Sequence, residues 1–389
     1  MKGDSMKILF FGLSLSSSWG NGHATTYRAL IAALAARGHR IIFLEREQPW
    51  YAEHRDLREA AYCELRFYRS LAQVRRWGSE IADADAVIIG SFVPQGTAVA
   101  QFVQETARGI VAFYDIDTPV TLEKLRHGSC EYLSGSLVAG FDLYLSFTGG
   151  PTLSYIEDVL GAATAKPLYC SVDPRAHRPT RAPRRWDLGY LGTYSADRQP
   201  ALETLLLEPA RRAPHLAFVV VGSLYPRNID WPANVQRIDH LPPGEHADFY
   251  SSLGWALNIT RPDMIRAGYS PSVRLFEAAA CGTPIISDNW TGLEGFFRAD
   301  REILVARSSE DVISALASSE RVRRAIGASG QRRVLAEHTA AHRAADLGRY
   351  LQEASTTALR TPVKLRAGVK VTSLDPNAAP ARIGDQGAS

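Results

Sequence analysis

Short apolar runs alternate with amphipathic segments along the first half of the chain. A helical pattern lies between the first two runs, with Tyr27, Leu30, Ile31 and Leu34 on one face and Gly38 after its end. Continuously apolar runs of this length are typical of parallel strands that are covered on both faces. The pattern predicts an α/β unit with strands at 7–12, 40–45, 63–68, 86–91, 109–115 and 143–148, and a further short strand that ends at Pro174.

A second alternating series follows a basic segment. Residues 175–186 (RAHRPTRAPRRW) contain prolines and show no periodicity, so they predict an interdomain linker. Two consecutive series of similar size predict two Rossmann-like, doubly wound α/β domains that face each other across a cleft. The second series predicts a helix at 199–212 and strands at 187–192, 217–222, 235–239, 255–260, 284–288 and 302–306.

The chain divides accordingly. After the two domains, residues 310–355 are mostly helical in pattern and rich in Ala and Arg, whereas the last residues carry little pattern. We predict an N-terminal domain, a linker, a C-terminal domain, a helix that packs back towards the N-terminal domain and a flexible tail, at 1–174, 175–186, 187–330, 331–355 and 361–389 respectively.

The segment 270–288, SPSVRLFEAAACGTPIISD, has the strongest helix signals. Ser270 is suited to the N-cap, Pro271 to the first helical position, and Gly282 to the residue that follows the end. These signals predict a helix that begins at the cleft edge of the second domain.

This helix carries candidate ligand-binding groups. Open amides at Ser272 and Val273 would lie at the positive end of the helix, which favours an anion. Glu277 follows four residues after Val273, about 6 Å along the axis. That separation suits a carboxylate that binds a ribose while the helix start holds its phosphates. A crossover helix with a chance glutamate remains the alternative.

The composition limits the function classes. The chain has 389 residues, 46% of them hydrophobic, and a net charge of +3, which is typical of a soluble globular protein. No block of Lys and Arg with interleaved aromatics occurs, so nucleic acid is not an expected partner. The start, MKGDSMKILFFG, leads directly into a strand, and no apolar run reaches the length of a membrane span. The four widely spaced cysteines predict reduced thiols, which favour a cytoplasmic protein. The short apolar runs predict that there is no transmembrane segment.

Ligands of open α/β sheets bind at the carboxyl ends of the strands. Arg198 and Arg261 are the best partners for a diphosphate, because a guanidinium group offers bidentate contacts. Solvated surface charges remain the alternative for both arginines. In the second domain the rule selects Gly192, Thr193, Arg198, Gly222, His240, Leu241, Arg261, and the helix start with Ser270, Ser272, Val273 and Arg274, followed by Glu277.

In the first domain the same rule selects the loop 13–23 and the segment around Asp115 and Asp117. His23 lies where the glycine-containing loop meets the first helix, and a neutral imidazole there could take a proton from an acceptor hydroxyl. Asp115 or Asp117 could orient this histidine or act as the base itself. The alternatives are a capping role for His23 and turn-forming roles for the aspartates.

Gly20 and Gly22, with Glu45 at the end of the next strand, partly match a dinucleotide-binding fingerprint. Thr25 occupies the place of the third glycine. Residues 13–19 also separate the first strand from Gly20, whereas the fingerprint requires a tight turn directly after the strand. Both departures argue against a dehydrogenase.

Taken together, the chain resembles the GT-B nucleotide-sugar glycosyltransferases, and more closely the bacterial CgeB-like (spore maturation protein-like) group. The resemblance covers residues 6–350, and its most specific part is the C-terminal segment. It rests on SSWGNGHATTYRALIAALAARGHRIIFLE, YDIDTP, YLGTYSADRQ and SPSVRLFEAAACGTPIISDNW.

The resemblance implies a donor site in the C-terminal domain and an acceptor site in the N-terminal domain. Retaining relatives hold the donor with a Glu-x7-Glu motif; Glu277 matches its second glutamate, whereas Tyr269 occupies the place of the first. Inverting relatives use a histidine of the first loop as the base, which His23 matches, so the combination leans towards inversion. Such enzymes usually require no metal. The Asp-x-Asp spacing of Asp115 and Asp117 lies in the acceptor domain, and no metal site or cofactor is expected.

The expected function is therefore transfer of a sugar from a nucleotide-diphosphate sugar to a hydroxyl of an unidentified acceptor, which could be a glycan, a small molecule or a protein. Two alternatives remain open. A sugar-nucleotide epimerase of the same fold would share the donor helix but need no acceptor. A non-catalytic nucleotide-sugar-binding protein would explain why only half of the glutamate motif is present.

Overall fold

The computed structural model describes residues 5–19 and 22–360, with side chains up to residue 356. Gly20 and Asn21 of the first-loop motif, and the predicted tail at 361–389, lie outside the described residues. Two parallel sheets dominate the described part of the chain, and each is covered by helices on both faces. The predicted α/β class with two Rossmann-like sheets is confirmed.

The first sheet has the strand order β3-β2-β1-β4-β5-β6-β7, and all its pairings are parallel. Every predicted run of the first half overlaps one of its strands, because fully buried strands are continuously apolar. The strands are β1 (Lys7–Gly12), β2 (Arg40–Arg46), β3 (Glu64–Tyr68), β4 (Ala86–Gly90), β5 (Ile110–Asp115), β6 (Leu143–Ser146) and β7 (Ala165–Pro167).

The second sheet has the order β10-β9-β8-β11-β12-β13, again entirely parallel. Its first strand begins at Trp186, which the sequence pattern had assigned to the linker. The indole of Trp186 is buried in the core of the second domain, so burial extends the strand by this residue. The strands are β8 (Trp186–Leu191), β9 (Phe218–Val221), β10 (Val235–Ile238), β11 (Leu253–Asn258), β12 (Ile285–Ser287) and β13 (Leu304–Val305).

Helices connect the strands. In the first half they are α1 (His23–Ala36), α2 (Pro49–Ala52), α3 (Leu71–Arg75), α4 (Gly78–Ala82), α5 (Gly96–Thr106), α6 (Thr118–Arg126), α7 (Gly135–Val138) and α8 (Pro151–Asp158). In the second half they are α9 (Gln199–Leu202), α10 (Glu208–Arg212), α11 (His246–Ser251), α12 (Pro262–Ala267), α13 (Val273–Ala280), α14 (Ser309–Leu316), α15 (Glu320–Glu337) and α16 (Ala340–Arg360). One π-helical turn, Glu203–Leu207, joins α9 to α10, so the predicted helix at 199–212 is a single continuous segment.

The strand order reverses between β1 and β4 in the first sheet and between β8 and β11 in the second. Ligands of doubly wound sheets bind in the crevice at this reversal, outside the carboxyl ends of the strands. The loops that follow these four strands therefore define the candidate site.

Direct contacts join the two halves close to that site. The hydroxyl of Thr148 donates a 3.0 Å hydrogen bond to the hydroxyl of Ser270. Gly149 N donates to the carbonyl of Tyr269 over 3.0 Å, and the Cys170 thiol donates to the carbonyl of Pro271 over 3.2 Å. In addition, α12 contacts α6, and α16 packs against α1, β5 and β6 of the first domain. The segment before α13 is therefore held by residues of the first domain.

Tyr269 lies in the middle of this junction. Its backbone has a φ of 46°, an unusual value for a residue with a side chain, and its ring packs directly over Gly150 and Gly292. Both glycines have positive φ, and a Cβ at either would collide with the ring. Glycine is therefore required at both positions for the tyrosine to fit between the two halves.

Replacement of Gly150 by alanine tests this packing. Gly150 has φ 59° and ψ −143°, a conformation that alanine rarely adopts, so the substitution has a backbone cost whatever packs over it. The collision with Tyr269 is separated from this cost by making Gly150→Ala in the wild type and in Tyr269→Ala. We expect Gly150→Ala to lower the free energy of unfolding clearly more in the wild type, where the ring must move. Equal losses in the two backgrounds in urea denaturation would contradict the proposed close packing.

Candidate functional site

The helix α13 begins at Val273, two residues later than the predicted first position. Ser270 as the N-cap is therefore wrong: its hydroxyl is buried and accepts the hydrogen bond from Thr148 across the domain junction. Ser272 holds the N-cap position instead. Its hydroxyl donates to Asn258 Oδ1 over 2.6 Å and makes no side-chain cap. Both hydroxyls thus make tertiary hydrogen bonds, so neither serine caps the helix with its side chain.

The start of α13 consequently lacks a side-chain acceptor for its first-turn amides. The first N–H groups of a helix have no intrahelical partner, and together they form the positive end of the helix dipole. The predicted amide of Ser272 now precedes the helix, whereas Val273 and Arg274 supply amides in its first turn. An anion placed here would perform the capping that the side chains do not.

Three arginines, Arg198, Arg261 and Arg274, lie close to this helix start. Burial lowers the pKa of Arg198, and the neighbouring charges of Arg274 and Arg261 lower it further, against an opposing effect of Tyr190. Within residues 5–19 and 22–360, the Nε atoms of Arg198 and Arg261 are buried without a hydrogen-bond partner, although Arg261 Nε lies 3.6 Å from an Asp197 carboxylate oxygen. The three guanidinium groups therefore create a strongly positive region.

The sequence rule selected Arg274 only as part of the helix start, yet it is the best anchored of the three. Its Nε donates to the carbonyl of Leu191 over 2.6 Å and its Nη1 to Asn258 Oδ1 over 3.0 Å. The guanidinium carbon lies 4.7 Å from the ring centre of Tyr190, a cation–π contact. These contacts hold a cation at the carboxyl ends of β8 and β11.

Gly192 and Gly222 allow the strand ends to approach each other. A Cβ on Gly192 would collide with Tyr190 and Arg274, and one on Gly222, whose φ is +148°, would collide with the carbonyl of Gly192. Thr193 lies next to them and accepts a 2.7 Å hydrogen bond on its carbonyl from Arg198 Nη2. These three predicted residues thus shape the backbone that holds the arginines.

Asn258 connects β11 to this region. Its amide nitrogen donates to the hydroxyls of Ser287 and Thr260, over 2.9 and 3.2 Å. Asp288 accepts from the backbone N–H and the hydroxyl of Thr260, each over 2.7 Å. Burial raises the pKa of Asp288 against these hydrogen bonds. The sequence rule missed Asp288 and Ser287, since a strand-end aspartate carries no distinctive spacing.

Glu277 is almost fully buried, one turn inside α13. The hydroxyl of Tyr250 donates to its Oε2 over 3.2 Å, and His177 Nε2 lies 3.6 Å from its Oε1. The predicted pair at 240–241 lies near the same end of the sheet. His240 is exposed, whereas the carbonyl of Leu241 is 3.3 Å from His246 Nε2.

Sequence reasoning did not select His177, His246 or Tyr250. His177 belongs to the linker, and its approach to Glu277 spans a hundred residues of sequence, so no local pattern signals it. Tyr250 and His246 lie on the short helix α11, whose position beside α13 depends on the packing of the second domain. A histidine near the start of a helix is a weak signal by itself.

In the first domain the structure brings His23 and Asp117 together. His23 Nε2 lies 3.0 Å from Asp117 Oδ2, and its Nδ1 is buried with no hydrogen-bond partner in the part of the chain that the structure describes. His23 is the first residue of α1, and its ring contacts that of Phe92 after β4. The side chain of His23 is 8% exposed, whereas that of Asp117 is 43% exposed. The carboxylate therefore faces the cleft and the imidazole lies behind it.

The charge of Asp117 is stabilised from both domains. Burial raises its pKa, but the hydrogen bond and charge of His23, together with the charge of Arg261, outweigh this effect and hold the pKa below its usual range. Arg261 follows β11 of the second sheet and Asp117 follows β5 of the first. The two predicted halves of the site therefore meet across the cleft.

Asp115 does not orient the histidine. Its carboxylate is fully buried and accepts 2.6 Å hydrogen bonds from the hydroxyls of Thr121 and Tyr144. Burial raises the pKa of Asp115 to about 7, against the opposing effect of these hydrogen bonds. Of the two aspartates considered, only Asp117 contacts His23, because Asp115 ends β5 with its carboxylate in the core whereas Asp117 lies at the N-cap of α6.

Glu45 has a structural role. It is buried and accepts hydrogen bonds from the backbone N–H groups of Leu15 and Ser16 and from the hydroxyls of Ser14 and Ser16, over 2.6–3.1 Å. A dinucleotide fingerprint would require this carboxylate for a ribose. Since Glu45 instead organises the loop before His23, the geometry disagrees with the dehydrogenase alternative.

The four cysteines all lie within the described residues and are free thiols. Among the described helices, none combines the length and apolar character that a bilayer crossing requires.

Residues 198–349 match the family model described as "Glycosyl transferase-like". This segment extends from Arg198 through α13 to α16 and so includes much of the positively charged region. No curated protein is similar enough in sequence to count as a relative.

Several solved structures are similar over nearly the whole chain. Sucrose-phosphate synthase from Thermosynechococcus elongatus is 15% identical with a TM-score of 0.65, and Anabaena HepE in complex with UDP and glucose is 12% identical with a TM-score of 0.65. An alpha-glucosyltransferase in complex with UDP and a 13-mer DNA is 13% identical with a TM-score of 0.67. Each comparison covers 90% of this chain and 100% of the other. At these identities the likeness establishes the fold, which is that of GT-B glycosyltransferases.

Asp115 gives a prediction for stability against pH. An acid whose pKa rises from 3.8 to about 7 on folding keeps a proton that the unfolded chain releases, so the free energy of unfolding falls as pH rises across this interval. The full penalty is about 4 kcal/mol. Asp115→Asn removes it, so the variant should gain stability relative to the wild type between pH 4 and 7.5 in urea denaturation. The control is Asp83→Asn, an exposed carboxylate. A constant difference between Asp115→Asn and wild type across this range would contradict the assignment.

Proposed function

We propose that this protein transfers a sugar from a nucleotide-diphosphate sugar to a hydroxyl of an acceptor molecule. The observation that carries the proposal is the meeting of three arginines and an open helix start with the His23–Asp117 pair across one cleft. The glycosyl transferase-like match at 198–349 supports the same activity. UDP complexes of two proteins with this fold make UDP the first nucleotide to test.

The donor would bind in the second domain. Its diphosphate would cap α13 and accept hydrogen bonds from Arg198, Arg261 and Arg274, so that the charge that develops on the leaving phosphate is stabilised in place. The three guanidinium groups would stabilise the leaving phosphate as a divalent cation does in metal-dependent enzymes. We therefore propose metal-independent transfer. Glu277 would accept hydrogen bonds from the ribose hydroxyls, with the base near His240 and Leu241.

The acceptor would bind against the first domain. Asp117 presents its carboxylate to the cleft, and we assign it to the acceptor hydroxyl, whose proton it takes as the oxygen attacks the sugar. His23 donates its Nε2–H to the same carboxylate and holds it in place. Exclusion of water by the joined domains would protect the donor from hydrolysis.

The cellular setting is a separate part of the proposal. The four free thiols fit a reducing compartment, so we propose a cytoplasmic location. The narrower CgeB-like assignment stays a prediction that rests on the sequence resemblance.

Donor binding is tested by titration of UDP into the wild type and variants in a calorimeter. Loss of charged hydrogen bonds to phosphate should weaken UDP binding about 10–100-fold in Arg198→Gln, and loss of the ribose contact should weaken it in Glu277→Gln. Arg108→Gln, an exposed residue of the first domain, is the matched control and should bind UDP normally. Unchanged UDP affinity in Arg198→Gln would remove the diphosphate assignment.

Catalysis is tested with Asp117→Asn, which keeps the shape of the side chain but not its basicity. Turnover should fall about 100–10,000-fold, the usual contribution of a general base, while UDP affinity is retained. Asp83→Asn serves as the control for an exposed carboxylate of the same domain. The product assay should find free nucleotide diphosphate and a sugar-bearing acceptor. Formation of an isomerised sugar nucleotide without acceptor would instead identify an epimerase.

A further inference from the structure

Three side chains converge at α13. His177 comes from the linker, His246 is the first residue of α11, and Glu277 lies within α13. One ligating atom from each lies within 4.8 Å of the others, and His177 Nε2 is 3.6 Å from Glu277 Oε1. Two imidazoles and one carboxylate are a ligand set that suits Zn²⁺ and similar divalent ions.

His177 is the observation that needs an explanation. Its side chain is 6% exposed, and both ring nitrogens are buried without a hydrogen-bond partner among the described residues. The 3.6 Å separation from Glu277 is too long for a hydrogen bond. Leaving such a group unsatisfied destabilises the folded state, and native structures rarely do so without a functional reason. A metal ion between His177 Nε2 and Glu277 Oε1 would give this ring nitrogen a partner.

The surroundings favour metal ligation. When His246 donates its Nε2–H to the carbonyl of Leu241, its Nδ1 keeps a lone pair, and a ligating histidine commonly makes such a second bond. The hydroxyl of Tyr250 donates to the other oxygen of Glu277 and orients the carboxylate.

We infer that His177, His246 and Glu277 form a binding site for a divalent transition-metal ion of the zinc type. Three protein ligands leave a fourth coordination position open. The site includes none of the three arginines but shares Glu277 with the proposed donor site, and the ion takes no part in transfer. It connects the interdomain linker to the donor helix through His177.

A consequence follows that rests on the proposed function. Glu277 cannot give the same oxygens to a metal ion and to the ribose hydroxyls. Bound metal should therefore weaken nucleotide binding and act as an inhibitor. Zinc-free protein is then the form that binds the donor.

Metal binding is measured first, on the full chain after treatment with a chelator. We expect one tightly bound Zn²⁺ per chain in calorimetry, and Co²⁺ should give the intense visible absorption of a tetrahedral site. His177→Ala and His246→Ala should each weaken Zn²⁺ binding at least about 100-fold, with near-UV circular dichroism showing a retained fold. His215→Ala, an exposed histidine of the same domain, should bind zinc like the wild type. Absence of the cobalt bands in the wild type, or unchanged zinc affinity in both variants, overturns the site.

Competition is measured next, by UDP titration with and without Zn²⁺. In the wild type, zinc should weaken UDP binding at least about tenfold. His177→Ala should bind UDP equally well with and without zinc, and this variant also controls for zinc that the nucleotide itself binds. Equal sensitivity of the variant and the wild type would refute competition at Glu277. Failure of zinc-free wild type to bind UDP would refute the proposed function instead, whatever the zinc result.

Discussion

A concentration of positive charge that the neighbouring Asp197 only partly balances organises the cleft. Among the described residues no side chain caps the first turn of α13, which carries Arg274, and the charges of Arg274 and Arg261 act on Arg198. Like charges repel strongly when partly buried, so backbone carbonyls and Asn258 must hold these groups in place. A bound diphosphate would relieve the remaining repulsion. Gly192 and Gly222 allow the strand ends to approach each other and so help to position the arginines.

The junction of the two halves determines whether the positively charged region faces Asp117 of the first domain. Tyr269 adopts a positive φ and fits between Gly150 and Gly292, while Thr148 bonds to Ser270. These contacts place the segment before α13 against the first domain. Arg261 can therefore stabilise the charge of Asp117 although the two residues belong to different sheets. Tyr269, which occupies the place of the first glutamate of the Glu-x7-Glu motif, therefore has a structural role at the cleft.

The surroundings of Glu277 suit two alternative ligands of this carboxylate. Its distance along the helix from the open amides suits a ribose, whereas the two histidines beside it suit a metal ion. Both uses require the same oxygens, so they exclude each other. Because His177 belongs to the predicted linker, the proposed metal site would couple that segment to the proposed donor site through one side chain.

The sequence by itself determined the two sheets, the end of α13 at Gly282, and His23, Asp117, Arg198, Arg261 and Glu277 as candidates. Such features follow from short-range rules: apolar runs mark buried strands, and strand ends mark ligand sites. Only the tertiary structure decided which partners meet. It moved the helix start from Ser270 to Ser272, paired His23 with Asp117 rather than Asp115, and brought His177 to Glu277. These outcomes depend on packing between residues far apart in the chain, and local periodicity carries no information about such packing.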